Sequence, residues 1–204
     1  MVRDKEETKA RILAAVGKLL AESGFQKLGV NAIAREAGVD KVLIYRYFQG
    51  LPSLLQSFGQ EGGYWTTLPE LVGDESMVDA ETLAEWMRYL LVEFMGDLKQ
   101  RPVTQEILRW ELLEGNELTQ ELASVRDKIA LDSLKFLEQK GSFPEDKDIP
   151  AISAILIAGV VYLTLRTKSS ETFMGLDFSS PAGWQRIEAA IEAIVRSTFG
   201  EDET

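Results

Sequence analysis

Two short amphipathic segments joined at a glycine, between residues 28 and 48, constrain the fold of this chain more than any other feature. The first segment places Val30, Ile33 and Ala37 at helical spacing. The second segment places Ile44 and Phe48 four residues apart, so both point to the same side of a helix. The pattern predicts two short helices that pack against the rest of the protein through one face each.

The residues at the junction and on the outer face predict how this pair is used. Gly38 suits a tight turn, and Asp40 suits the N-cap of the second helix. Lys41, Tyr45 and Arg46 are left free to face outward. A helix-turn-helix inserts its second helix into the DNA major groove, where cations and hydroxyls are useful. The alternative is a plain helical hairpin in a bundle or solenoid, which leaves the outward cations and tyrosine unexplained.

The same segment resembles the N-terminal domain of the TetR family of transcriptional regulators. The shared pattern is Ile-Ala-x-x-Ala-Gly-Val-x-Lys-x-x-(Leu/Ile)-Tyr-x-Tyr-Phe, matched by Ile33, Ala34, Ala37, Gly38, Val39, Lys41, Ile44, Tyr45, Tyr47 and Phe48. Together with the helical spacing of the remaining chain, the resemblance predicts an all-α fold of about nine helices. A three-helix DNA-binding domain with the helix-turn-helix is expected at 1–50, and a helical effector-binding and dimerisation domain at 51–204.

The resemblance also implies which residues contact DNA, by their position in the motif. They are Asn31, Lys41, Val42, Leu43, Tyr45, Arg46 and Tyr47. Lysine and arginine reach guanine edges or phosphates, and tyrosine hydroxyls suit phosphate oxygens. Asn31 either pairs with adenine or caps its own helix. Val42 and Leu43 replace a small residue and a threonine of many relatives, and Leu51 replaces a backbone-contacting lysine, so we expect an unusual operator and weaker binding.

The composition excludes several kinds of chemistry. The 204 residues include no cysteine and no histidine, so thiol nucleophiles, imidazole bases and the metal sites built from either are absent. We therefore expect no catalytic residues, no metal, no cofactor and a cytoplasmic location. Two alternatives to a regulator are an enzyme that uses carboxylates or lysine, and a helical protein-interaction module without DNA binding.

The charge is distributed unevenly along the chain, whose net charge is −11. Residues 1–58 hold nine lysines and arginines against six acidic residues, a net charge of +3, and the remainder holds 13 against 27, a net charge of −14. Such a distribution orients the N-terminal end towards DNA while the acidic remainder limits non-specific binding.

The remaining chain has helical spacing from residue 79 onward, with no alternation typical of a strand. Asp79 is the expected N-cap of its first helix, and the glycines at 59, 62 and 63 form either a hinge or a loop. Residues 149–165 are almost wholly apolar but shorter than the roughly 20 residues that span a bilayer, so they favour a helix at a protein interface.

A homodimer is expected, because one helix-turn-helix reads too short a sequence to be found among genomic competitors. The dimer would bind a palindromic DNA operator. In the TetR family the last two helices form a four-helix bundle between subunits. The predicted interface residues are Ala154, Ala158, Val161, Ile187, Ile191 and Ile194.

A small-molecule effector is the last partner that the resemblance implies, with the protein acting as a repressor that the effector releases from its operator. The residues predicted to line an effector cavity are Trp86, Tyr89, Phe94, Trp110 and Tyr162. The alternative for each of them is ordinary core. Glu111 and Glu114 either meet a cationic ligand or are solvated.

Overall fold

The computed structural model describes residues 2–61, 64–115 and 117–199, and it is built almost entirely of α-helices. The all-α prediction is confirmed, with ten α-helices in the described residues instead of about nine. A short helix over Leu68–Val72 accounts for the difference. The helices are α1 (Val2–Ser23), α2 (Val30–Ala37), α3 (Lys41–Phe48), α4 (Leu51–Glu61), α5 (Leu68–Val72), α6 (Leu83–Gln100), α7 (Pro102–Leu113), α8 (Glu117–Lys140), α9 (Ile149–Arg166) and α10 (Pro181–Phe199).

The chain divides into two compact units. The N-terminal unit consists of Met1–Trp65 and Arg101–Asp127, and the C-terminal unit of Thr66–Gln100 and Lys128–Thr204. The N-terminal unit thus extends beyond residue 50, because α1 packs against α4 and α7 as well as α2. Helix α8 contributes residues to both units.

The core of the N-terminal unit contains buried aliphatic side chains from each of the first four helices. Ile12 and Val16 of α1, Ile33 of α2, Ile44 of α3 and Leu54 of α4 have no exposed surface. Burying a side chain of this size stabilises the fold by about 1.5–3 kcal/mol before entropy is counted. The inward orientation predicted for Ile33 of α2 and Ile44 of α3 is therefore confirmed.

Helices α7 and α8 are joined to the same unit by two close contacts. The Trp110 ring stacks on the Phe25 ring, with centroids 3.4 Å apart. A Cβ added to Gly59 would lie 2.6 Å from Cδ2 of Leu122, so the Leu122 side chain would have to move to admit a larger residue where α4 meets α8. Gly59 is thus a packing residue, while Gly62 and Gly63, the other glycines of the expected hinge, lie outside the described residues.

The C-terminal unit is built around α6, which packs against α9 and α10. Its start differs from the prediction, because the helix begins at Leu83 and is capped by Thr82 instead of Asp79. The Glu85 N–H donates to Oγ1 of Thr82 at 3.2 Å, and the Glu85 carboxylate accepts the Thr82 N–H at 2.9 Å. The carboxylate also accepts the Glu81 N–H at 2.8 Å, and the N–H groups of Thr82 and Glu81 together lower the pKa of Glu85. A reciprocal pair of this kind fixes the first turn of the helix.

A small antiparallel hairpin separates α9 from α10 and corrects the expectation of no strand. Its strands are β1 (Thr172–Phe173) and β2 (Leu176–Asp177), in which Thr172 pairs with Asp177 and Phe173 with Leu176. Gly175 at the turn has a φ of 76°, a conformation that favours glycine. Two-residue strands are too short to show alternation in a sequence.

Candidate nucleic-acid interface

The turn between α2 and α3 is held by its glycine and by a cation from α1. Gly38 adopts the left-handed conformation, with φ 63° and ψ 39°. Arg11 donates from Nη2 to the carbonyl oxygens of Ala37 at 2.6 Å and Gly38 at 3.2 Å. These carbonyls carry the negative end of the α2 dipole, so the guanidinium stabilises the end of α2. Helix α1 therefore helps to hold the turn that leads from α2 into α3.

Helix α3 starts at the predicted N-cap and is anchored by the predicted apolar residues. The Asp40 carboxylate accepts the Val42 N–H at 2.8 Å, which satisfies one of the unpaired donors of the first turn. Ile44 is fully buried and Phe48 is 6% exposed. With these two side chains inward, the opposite side of α3 faces solvent.

That outer face carries the residues predicted to contact DNA. Tyr45 is 54% exposed and Val42 is 60% exposed. The predicted contact residues that are exposed are Asn31, Lys41, Val42, Tyr45 and Arg46, and those that are half-buried are Leu43 and Tyr47. No side chain caps α2, whose N-cap is Gly29. Asn31 is therefore not the cap of its own helix, and this favours the alternative of a base contact.

This face has one further neighbour, Lys5 of α1, which is not among the residues predicted to contact DNA. The Lys5 ammonium lies 5.8 Å from the centroid of the Tyr47 ring, and the Arg46 guanidinium lies 5.1 Å from the same centroid. Helical spacing within α1 gives no sign of this contact, because Tyr47 belongs to another helix.

Comparison with known families identifies this domain. Residues 12–58 match the family model described as bacterial regulatory proteins of the TetR family. The chain carries a TetR-family DNA-binding domain. The matched residues include the whole of α2, the turn and α3, so these two helices correspond to the helix-turn-helix of that family. The chain is a DNA-binding regulator, and the enzyme and interaction-module alternatives are not favoured.

Solved structures extend the likeness in fold to nearly the whole chain. GusR of Salmonella enterica is 18% identical, with a TM-score of 0.65 over 95% of this chain and 96% of its own. The fatty acid degradation regulator FadR of Bacillus halodurans is 19% identical, with a TM-score of 0.63 over 95% and 99%. A TetR-like transcriptional regulator of Rhodococcus sp. RHA1 is 17% identical, with a TM-score of 0.64 over 93% and 94%. No curated protein sequence matches the chain significantly.

The five aromatic residues predicted to line an effector cavity are divided between the two units of this TetR-type fold. Trp110 belongs to the N-terminal unit, and its Nε1–H donates to the Glu114 carboxylate at 3.0 Å. In the C-terminal unit, the Trp86 ring meets the edge of Tyr89, with centroids 5.9 Å apart, and Phe94 is half-buried. Tyr162, also in that unit, is 50% exposed and contacts the ring of Phe173.

A buried polar cluster in the N-terminal unit was missed by the sequence analysis. The Tyr64 hydroxyl is buried and has no hydrogen-bond partner in the described structure. Glu111 forms an ion pair with Arg126, whose guanidinium lies 6.0 Å from the centroid of the Trp65 ring. Burial raises the pKa of Tyr64 to about 12, and burial also raises the pKa of Glu111 although Arg126 opposes it. These residues come from three places in the chain, at 64–65, 111 and 126, so no local pattern reveals the cluster.

The predicted dimer residues lie on α9 and α10, and most of them are accessible. Ala154 and Ala158 are exposed, Ile194 is 47% exposed, and Val161 and Ile187 are half-buried. The prediction for Ile191 is wrong, because this side chain is 4% exposed and packs in the core of its own unit. Its place on α10 matches the helical spacing of its neighbours, but that spacing does not distinguish core from interface.

Helix α9 has an unusual composition for a helix of this exposure. Within the described residues it is the one helix that is long and apolar enough to cross a membrane by those two criteria, yet only 28% of Ile149–Arg166 is buried. Core helices of soluble proteins pass the same test. The exposed face includes Ile155, which is 72% accessible.

Proposed function

We propose that this regulator is a cytoplasmic homodimeric repressor that binds a palindromic operator and is released by a small-molecule effector. The observation that carries the DNA-binding part is the orientation of α3. Ile44 and Phe48 are buried, while Lys41, Tyr45 and Arg46 project into solvent. A helix fixed by its apolar side and open on its cationic side meets the requirements of major-groove binding.

The side chains of α3 have different tasks in this proposal. Lys41 and Arg46 contact guanine edges or phosphates, and the Tyr45 hydroxyl donates to a phosphate oxygen. The exposed Val42 has no hydrogen bond to offer and packs on a thymine methyl group. Asn31 reads adenine from the start of α2.

The test uses a duplex selected from a random pool by the parent protein, followed by fluorescence anisotropy with that duplex. Lys41→Ala and Tyr45→Ala are each expected to weaken operator binding about tenfold, the effect of losing one good contact to base or phosphate. Lys128→Ala removes an exposed cation from the C-terminal unit and serves as the control. Equal affinity of the parent and both α3 variants would refute this assignment of the DNA surface.

The dimer part of the proposal is supported by the exposed apolar face of α9. Ala154 and Ala158 allow close approach of another helix, and Ile155 and Ile194 offer apolar surface for burial. A second copy of the same face is the occupant we propose, since a two-fold dimer presents two recognition helices to two half-sites. Their centres would lie about 34 Å apart, or a multiple of that.

The effector part of the proposal rests on the predicted aromatic residues, of which Trp86 and Tyr89 contact each other in the C-terminal unit. The Tyr89 hydroxyl donates to the Val72 carbonyl at 3.2 Å, so the ring offers an apolar surface. A coupling of roughly 1–3 kcal/mol between effector and operator is sufficient for induction. A small-molecule screen by thermal shift tests this. A ligand that stabilises the protein is expected to lower operator affinity, and Tyr89→Ala is expected to weaken both effects.

A further inference from the structure

Tyr47, near the C-terminal end of α3, lies close to cations from two different helices. Arg46 comes from α3 itself, and its Nη2 donates to the Tyr47 hydroxyl oxygen at 3.4 Å. Lys5 comes from the first turns of α1, 42 residues earlier in the sequence, and its Nζ lies 5.8 Å from the ring centroid. The quadrupole of an aromatic ring attracts cations, so the ring of Tyr47 brings one cation from α1 and one from α3 close to the same side chain.

No side chain that the structure describes neutralises Lys5 or Arg46, whereas Lys9 and Lys18 of α1 are each paired with a carboxylate. Lys9 lies 3.6 Å from a Glu6 carboxylate oxygen, and Lys18 lies 2.5 Å from a Glu36 carboxylate oxygen. Arg11 is used by the turn after α2. An anion bound beside the Tyr47 ring is therefore attracted by both cations.

The hydrogen-bond donors of this cluster fit a phosphate group. The ammonium of Lys5 and the guanidinium of Arg46 are the two side-chain groups that bind phosphate most often in proteins. Arg46 donates to the oxygen of Tyr47, which leaves the hydroxyl hydrogen available to an anionic oxygen. The N-terminal residues of α3 contact the base edges, so a cation on α1 that meets the C-terminal end of α3 is placed towards the sugar-phosphate backbone.

We propose that Lys5, Arg46 and Tyr47 form a phosphate clamp, through which α1 contributes a DNA-backbone contact beside the recognition helix. The inference rests on the proposed function. A phosphate contact carries no sequence information, so the clamp raises affinity for every duplex to the same extent. It also partly replaces the backbone contact that relatives obtain from a lysine at the position of Leu51.

The test measures the salt dependence of binding for Lys5→Gln and its matched control Lys18→Gln. Both variants remove one positive charge from α1, but Lys18 lies about 20 Å further along the helix and is paired with Glu36. Each protein is titrated with the selected operator and with a random duplex of equal length, at several salt concentrations. Lys5→Gln is expected to reduce the slope of log K against log salt by about 0.9 on both duplexes.

Relative to 1 M salt, this change of slope corresponds to an affinity loss of about eightfold at 0.1 M salt. The ratio of the affinities for operator and random duplex is expected to stay unchanged. Lys5→Arg is expected to keep the parent slope, and so is Lys18→Gln. Lys5 is exposed, so all variants are expected to unfold at the parent temperature. If the parent selects an operator but Lys5→Gln retains its full slope, the clamp is overturned alone. If the parent binds neither duplex, the proposed function fails and the clamp with it.

Discussion

Single residues at the DNA-binding end of the chain act through one or two hydrogen bonds each, and Asp40 shows this most simply. Its carboxylate accepts the Val42 N–H at 2.8 Å and so supports the first turn of α3. Asp40→Ala is expected to lower the free energy of unfolding of the N-terminal unit by about 1 kcal/mol. Asp40→Ser keeps a hydrogen-bond acceptor, so its free energy of unfolding is expected to lie within about a few tenths of a kcal/mol of the parent value. Urea denaturation measures both, and an Ala variant as stable as the Ser variant would contradict the cap.

Tyr64 gives a second residue-scale prediction, in which pH is the variable. Burial raises the pKa of its hydroxyl from the ordinary value of 10.0 to about 12 in the folded protein. As pH rises from 10 towards 12 the unfolded chain loses this proton first, so the folded state is progressively destabilised. The loss amounts to about 2–3 kcal/mol at the upper end of that range.

Tyr64→Phe is expected to remove this part of the pH dependence. It also removes a buried hydroxyl that has no partner in the described structure, so at pH 7 the variant is expected to be at least as stable as the parent. Denaturant titrations of both proteins at pH 7, 9 and 11 provide the comparison. Parallel curves for parent and variant above pH 10 would show that Tyr64 titrates normally.

At the scale of elements, the hairpin and α10 meet at a glycine that has no room for a side chain. A Cβ on Gly183 would lie 1.8 Å from the carbonyl oxygen of Asp177, a backbone atom of β2. The Trp184 Nε1–H donates to the Phe178 carbonyl at 3.1 Å just beside this contact. The start of α10 is therefore fixed against the hairpin by close backbone approach.

Gly183→Ala is expected to destabilise the C-terminal unit by at least about 2 kcal/mol, because backbone must move to relieve the overlap. Gly96→Ala is the matched control, since a Cβ at this position of α6 meets nothing within 4 Å. Gly96→Ala is expected to stabilise the same unit by about 0.5–1 kcal/mol. Thermal unfolding, monitored by circular dichroism, distinguishes the expected destabilisation from the expected stabilisation. Equal melting temperatures for both variants would contradict the close approach at Gly183.

The elements that could be predicted from the sequence are those whose determinants lie within a few residues. Gly38 and Asp40 specify a turn and a cap locally, and both were predicted correctly. Thr82 was missed as a cap because Asp79 has equally suitable chemistry, and only the observed Glu85 bond chooses between them. The burial of Ile191 and the contact of Lys5 with Tyr47 could not be predicted, because both depend on elements that are distant in the sequence.

At the scale of the whole molecule, the two proposals for DNA binding and dimerisation depend on each other through geometry. One helix-turn-helix with a mildly basic surface has little affinity for a single half-site, whereas the two linked DNA-binding domains of a dimer bind as one unit. Linking two modules raises affinity by about 10²–10⁴ without any new contact. The exposed face of α9 is therefore expected to determine operator affinity although it is not part of the DNA surface.

Ala158→Glu tests that dependence. Ala158 is exposed on α9, so the change leaves the fold intact but buries a charge in the proposed interface. Sedimentation is expected to show monomers, and operator affinity is expected to fall by at least about 100-fold. Ala14→Glu adds the same charge at an exposed position of α1 and is expected to remain dimeric. An unchanged dimer for Ala158→Glu would place the interface on another face, whereas monomers that keep full operator affinity would separate DNA binding from dimerisation altogether.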